Sequence, residues 1–247
     1  MGALEVGPHE ASSERFVLVA GDGTPVDAVH ARPAAQPEAG VVVHPDLMGV
    51  RDLFDDLCRR LATYGFAVAC AEPFASFPPE IREAGDATAR MAHMKDMNDD
   101  RQLGDLASAA DFLRDTDGVD RVSMIGFCMG GMYTLKAAAT GVFARAVAFY
   151  GMLRVPDDWK GPHQRDALAT AAQVCPTLAI FGGKDPWVPF DDVEALRAAW
   201  RDRDDCEIVV YPDADHGFVH GIERPAHRPD DAADAWKRAL EFLRRPQ

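Results

Sequence analysis

A cysteine, an aspartate and a histidine stand in this chain where they could act together on a carbonyl carbon. The segment Gly126-Phe127-Cys128-Met129-Gly130 follows directly on the apolar run Val122-Ser123-Met124-Ile125. Glycines two before and two after Cys128 remove side chains that would collide if a strand turned sharply into a helix, so the spacing predicts such a turn with the sulfur held over the end of a sheet. The sulfur would also lie at a helix start, where free N–H groups and the helix dipole favour negative charge. An acid follows at Asp185, within Gly182-Gly183-Lys184-Asp185-Pro186-Trp187-Val188-Pro189, and a histidine at His216, within Asp215-His216-Gly217-Phe218. Each comes just past an apolar run, 177–181 and 207–211, which is where open α/β sheets build their sites. In such a set Cys128 is the nucleophile, His216 takes the thiol proton and returns it to the leaving group, and Asp185 holds the imidazole tautomer.

Each residue also has a plainer reading. Cys128 could be a buried cysteine in a Gly-rich turn, Asp185 a turn or cap residue before a proline, and His216 a loop histidine without a task. Asp213 and Asp215 read as turn formers. The chain order of nucleophile, acid and histidine, each beyond a strand, favours the catalytic reading and is that of α/β-hydrolases. The elements needed to position the set are present. A hairpin is expected over 16–20 and 26–31, then strands over 41–44, 66–71, 121–125, 144–149, 177–181 and 207–211. Helices are expected over 52–64, 99–114, 191–200 and 230–243, with a further helical pattern from 80 carrying Met91, Met94 and Met97 at helix spacing. That methionine row reads as core packing or a pocket lining. Residues 1–14 read as loosely ordered.

Taken together, these motifs resemble the dienelactone hydrolases, a branch of the α/β-hydrolase fold with cysteine in place of serine. The resemblance rests on Gly126-Phe127-Cys128-Met129-Gly130-Gly131, the Gly182 to Pro189 segment and His216-Gly217-Phe218. Further agreement comes from His44-Pro45-Asp46-Leu47-Met48-Gly49-Val50 and Phe149-Tyr150-Gly151, and the likeness spans roughly 26–242. It implies one α/β-hydrolase domain over 1–247, a mostly parallel sheet flanked by helices, and hydrolysis of a small-molecule lactone or ester through an acyl-thioester on Cys128. The oxyanion would be held by the N–H of Met129 and that of Leu47 in the loop after the third strand. Asp46 stands where the family places an acid against the resting thiol, one methylene shorter than the usual glutamate. A family arginine that binds the substrate carboxylate four residues past the histidine is His220 here. A second falls within 78–94, where Arg82 and Arg90 are candidates, and Tyr150 and Phe218 complete the expected substrate-binding set. The alternative is a broader carboxylesterase or thioesterase acting on uncharged substrates, which His220 supports. A non-catalytic ligand-binding member of the fold is opposed by the complete triad.

Composition narrows the partners. The formal net charge of −14 argues against nucleic acid and anionic membrane surfaces, which attract basic patches. No window approaches the ~18 consecutive apolar residues of a membrane span, and no leader pattern precedes the first motif. Five cysteines without paired spacing suggest neither a disulfide framework nor a metal site. A cytoplasmic, monomeric enzyme without cofactor or metal is the expectation.

Overall fold

The computed structural model describes residues 2–246. Eight strands form one sheet: β1 (Ala11–Val19), β2 (Pro25–Pro33), β3 (Ala39–His44), β4 (Phe66–Ala71), β5 (Val122–Phe127), β6 (Ala146–Phe149), β7 (Thr177–Gly182) and β8 (Cys206–Tyr211). Their spatial order is β1-β2-β4-β3-β5-β6-β7-β8. β1, β2 and β4 pair antiparallel, and every pairing from β4 to β8 is parallel. β3 to β7 are buried at every position, as strands covered on both faces must be, and their sequences are accordingly apolar except for His44, Ser123 and Thr177.

Seven α-helices accompany the sheet: α1 (Asp52–Ala62), α2 (Pro79–Arg82), α3 (Ala87–Met91), α4 (Asp99–Asp117), α5 (Met129–Ala137), α6 (Phe190–Ala199) and α7 (Pro229–Arg244). α1 and α7 cover one face, packing Phe54, Leu57, Trp236 and Phe242 against Val43, Ile125, Phe149 and Ile180. α4 and α5 cover the other, with Leu106, Leu113 and Met132 against Val42, Ala69 and Met124. α6 closes the far end through Val193, Leu196 and Trp200.

Two expectations are corrected here. Residues 2–14 are not loosely ordered, because their backbone finds partners far along the chain that no local pattern reveals. Gly2 N–H donates to Asp56 (2.9 Å), Gly7 N–H to Thr63 Oγ1 (2.6 Å) and Ala3 N–H to the His220 carbonyl (3.3 Å), while β1 already begins at Ala11. The helical pattern from 80 is broken into α2, α3 and a 3₁₀ turn at Met94–Asp96. Asp86 restarts the helix as an N-cap, its Oδ1 accepting from Ala89 N–H at 2.9 Å.

The helix behind the cysteine is tied to its neighbour by a buried ion pair. Lys136 Nζ on α5 lies 2.8 Å from Asp99 Oδ1 at the start of α4, with side chains only 5% and 1% exposed. Asp99 Oδ2 also accepts from Arg165 N–H at 2.8 Å. Removing one partner of such a pair leaves an uncompensated buried charge, so Lys136→Ala should cost about 3–5 kcal/mol. Urea unfolding would show this as a lower midpoint at unchanged slope; an unshifted midpoint would mean that the pair contributes little.

Candidate active site

At the carboxyl end of β5 the chain turns into α5 through Cys128, which holds φ 57° and ψ −120°. Such a conformation costs a non-glycine residue about 1–3 kcal/mol and persists only where the surroundings enforce it. The enforcement is close packing. A Cβ on Gly126 would overlap the Gly130 carbonyl and Thr134, and one on Gly130 would overlap the carbonyls of His44 and Pro45. Cys128 N–H donates to the Phe149 carbonyl (3.0 Å), and its own carbonyl accepts from Met132 N–H (3.0 Å). The turn is thereby fixed between the ends of β3 and β6.

Asp185, beyond β7, accepts from Trp187 N–H through Oδ1 (2.8 Å) and bonds His216 Nδ1 through Oδ2 (2.8 Å). His216, beyond β8, shares a cavity of about 150 Å³ with Cys128. Leu47, Met48, Met91, Trp159 and Trp187 supply its apolar walls, and Asp46, His220 and Arg224 its polar ones. Burial opposes a charge on His216, but hydrogen bonds to Asp185 and Cys128, and the negative charge of both, outweigh it and raise the imidazole pKa to about 10. The backbone N–H groups of Leu47 and Met129 carry no hydrogen bond among the described residues. Leu47 follows the first residue of a tight turn closed by Gly49 N–H to the Asp46 carbonyl (2.9 Å), and Met129 is the first residue of α5, so each N–H is left free by its local geometry.

Five expected substrate-binding residues stand elsewhere in role. Asp46 reaches the cavity, but its carboxylate is occupied by Arg51 and His220 at 2.7–2.9 Å rather than free for the thiol. Arg90 turns away from the cavity, buried against Glu72 (2.8 Å), donating to the Arg82 carbonyl and lying over Phe74. Arg82 lines a separate cavity with Arg15 and Glu83. Tyr150 and Phe218 are fully buried, Phe218 packed between Tyr150 and Tyr211, so both support the site from below. Of the methionine row, Met91 lines the cavity, while Met94 and Met97 are core residues. Arg224 is the residue that sequence reasoning missed. Its guanidinium packs on Gly217, at φ 81°, where any Cβ would collide with it, and its Nε is buried without a partner. The only local signal was the glycine after His216. Among the described residues no cluster of His, Cys, Asp or Glu suits a metal ion.

Comparison with known proteins agrees with this architecture. The model of the dienelactone hydrolase family matches residues 26–246. A relative from Escherichia coli (strain K12) named carboxymethylenebutenolidase is 33% identical over 242 residues, covering 96% of this chain and 89% of its own. A Bradyrhizobium relative assigned as a 2-oxo-3-(5-oxofuran-2-ylidene)propanoate lactonase is 28% identical, covering 83% of this chain and 82% of its own. A crystal structure named for a dienelactone hydrolase from Klebsiella pneumoniae superposes with a TM-score of 0.86 at 30% identity, covering 96% and 99% of the two chains.

The raised pKa of His216 gives a direct test of its pairing with the sulfur. A folded-state value above the ordinary 6.5 stabilises the fold fully below pH 6.5, and that contribution is lost as pH rises from 6.5 through about 10. An NMR titration should find the His216 ring still protonated well above pH 6.5, and Cys128→Ala should lower its midpoint. A wild-type midpoint at the ordinary histidine value would contradict the pairing.

Proposed function

This chain belongs to the dienelactone hydrolase family and is an ester or lactone hydrolase, and from that premise we propose that it cleaves small carboxylated lactones or esters through a Cys128-His216-Asp185 triad. The observation that carries this reading is one cavity holding Cys128 on its strained turn and His216 bonded to Asp185, beside the two unbonded N–H groups of Leu47 and Met129.

The reaction follows from these groups. With the proton on His216 Nε2, the Cys128 thiolate adds to the carbonyl carbon, and the carbonyl oxygen becomes an oxyanion held by Leu47 and Met129 N–H. Loss of one such donor costs about 3 kcal/mol in the barrier. Collapse breaks the C–O bond, and His216 gives its proton to the departing alkoxide or enolate while the acyl group stays on sulfur. Water then loses a proton to His216 and adds to the thioester, and collapse releases the acid and returns the thiolate beside the imidazolium. Asp185 keeps Nδ1 protonated throughout and leaves Nε2 to exchange the proton.

Substrate charge is assigned to Arg224. It edges the cavity with an unpartnered Nε, and the chain's −14 net charge makes a local cation the feature that would draw in an anion. The name of the Bradyrhizobium lactonase describes a propanoate, which agrees with a carboxylate at this position. The small apolar cavity favours a second reading, a general esterase for uncharged substrates.

Two measurements test these assignments. Cys128→Ala should abolish turnover and leave no acyl adduct by mass spectrometry; a rate near wild type would remove Cys128 from the mechanism. Arg224→Ala should raise KM for carboxylated lactones by about ten- to hundredfold, the value of a charge-assisted hydrogen bond, with little change for neutral aryl esters. Equal effects on both substrate classes would select the general esterase.

A further inference from the structure

Beneath the cavity lies a second polar chain, Tyr150-His220-Asp46-Arg51, that the reaction above does not use. Asp46 opens the turn on which Leu47 sits. Its Oδ1 accepts from Met48 N–H (2.9 Å) and Arg51 Nη1 (2.7 Å), and its Oδ2 from Arg51 Nη2 (2.9 Å) and His220 Nε2 (2.9 Å). A carboxylate offers about four acceptor sites, and all four are filled. Asp46 therefore has no capacity left for a thiol proton or for substrate. Burial favours the neutral acid, but its donors win and hold it well below the usual carboxylate range.

His220 is matched to this anion. Burial lowers its pKa, so the ring is neutral and carries one N–H. Asp46 requires that hydrogen on Nε2, which leaves Nδ1 as an acceptor, and the Tyr150 hydroxyl donates to it. Phe54 and Phe127 flank the imidazole with ring centroids 6.1 and 5.3 Å away. Tyr150 is itself set at φ 40° beyond β6, with its N–H on the Ile180 carbonyl at 2.7 Å. The chain thus ties the end of β6, the loop after β8 and the N-cap of α1 to the turn after β3.

We propose that this chain fixes the height of the Leu47 N–H over Cys128, which makes His220, Tyr150 and Arg51 positioning residues for the oxyanion. The inference rests on the reading of Cys128, Leu47 and Met129 given above. One side of the turn is set by backbone contact, since the His44 and Pro45 carbonyls abut Gly130. The other side has no such stop. Side chains hold it: the Asp46 carboxylate, itself held by Arg51 and His220, together with Arg51 Nη1 on the Gly49 carbonyl (3.1 Å) and Glu72 Oε2 on Val50 N–H (2.8 Å). Oxyanion stabilisation depends on donor placement to within a fraction of an ångström, so loosening this side should slow the chemical steps and leave ground-state binding in place.

The experiment measures kcat, KM and single-turnover acylation with a neutral aryl ester. His220→Leu keeps the volume and removes both bonds, and kcat and the acylation rate should fall about ten- to hundredfold with KM and the pH profile nearly unmoved. His220→Gln, which can donate to Asp46 and accept from Tyr150, should recover most of that loss. Tyr150→Phe removes one bond of the chain, and Arg51→Met removes the two to Asp46 and one to the Gly49 carbonyl; each should lower kcat, and Tyr150→Phe should add little to His220→Leu. If His220→Leu fails to fold, the Tyr150→Phe and Arg51→Met proteins carry the test alone. Wild-type kcat in those proteins, no recovery by glutamine, or an effect confined to KM would overturn the inference. A Cys128→Ala protein that still turns over would instead overturn the site reading on which it rests.

Discussion

The packing of backbone against backbone at the carboxyl end of β5 is the constraint on which the site depends. Gly126 and Gly130 let the first turn of α5 settle onto its own preceding strand and onto the carbonyls of His44 and Pro45. That contact forces Cys128 into its unusual φ and brings two independent chain segments, the turn after β3 and the start of α5, side by side. No side chain could do this at the same distance. A methyl group at either glycine would separate Cys128 from the free N–H groups of Leu47 and Met129 that the proposed reaction uses.

Around that contact the protein surrounds its buried carboxylates with donors. Asp99 meets Lys136, Glu72 meets Arg90, and Asp46 meets Arg51 and His220. Each carboxylate has several donors, which is the condition for keeping charge away from water without a large penalty. His216 differs because its partners raise its affinity for a proton while leaving the ring beside the Cys128 sulfur. Arg224 lines the cavity, and its buried Nε has no partner within the protein, as is also true of Arg90 Nε elsewhere.

Much of this was legible in the sequence. The apolar runs that became β3 to β7 announced a parallel sheet because burial on both faces leaves little room for polar residues. Cys128, Asp185 and His216 were readable because strand-end chemistry places each beside glycines or prolines in a set chain order. The failures share one cause. Arg90 looked available because its partner, Glu72, lies 18 residues earlier and no local rule links them. Residues 2–14 looked loose because their partners are Asp56, Thr63 and His220. Phe218 was expected to bind substrate, yet the chain dips into the core two residues after His216 and buries it. Arg224 reaches the cavity only because Gly217 leaves it space. Each depends on a contact between distant segments, which periodicity and spacing cannot carry.

The buried bond between His220 and Asp46 joins residues 174 apart in the chain. Its consequence concerns the route to the native state. Contacts of such high sequence separation close large loops, and their entropy must be met before they give anything back, so they form late and slowly. Until the segment after β8 docks, Asp46 lacks its histidine and the turn after β3 lacks part of its support. The centre of this enzyme is therefore complete only once such a long-range contact has closed, and hydrolysis is a stricter report of completed folding than the presence of the sheet.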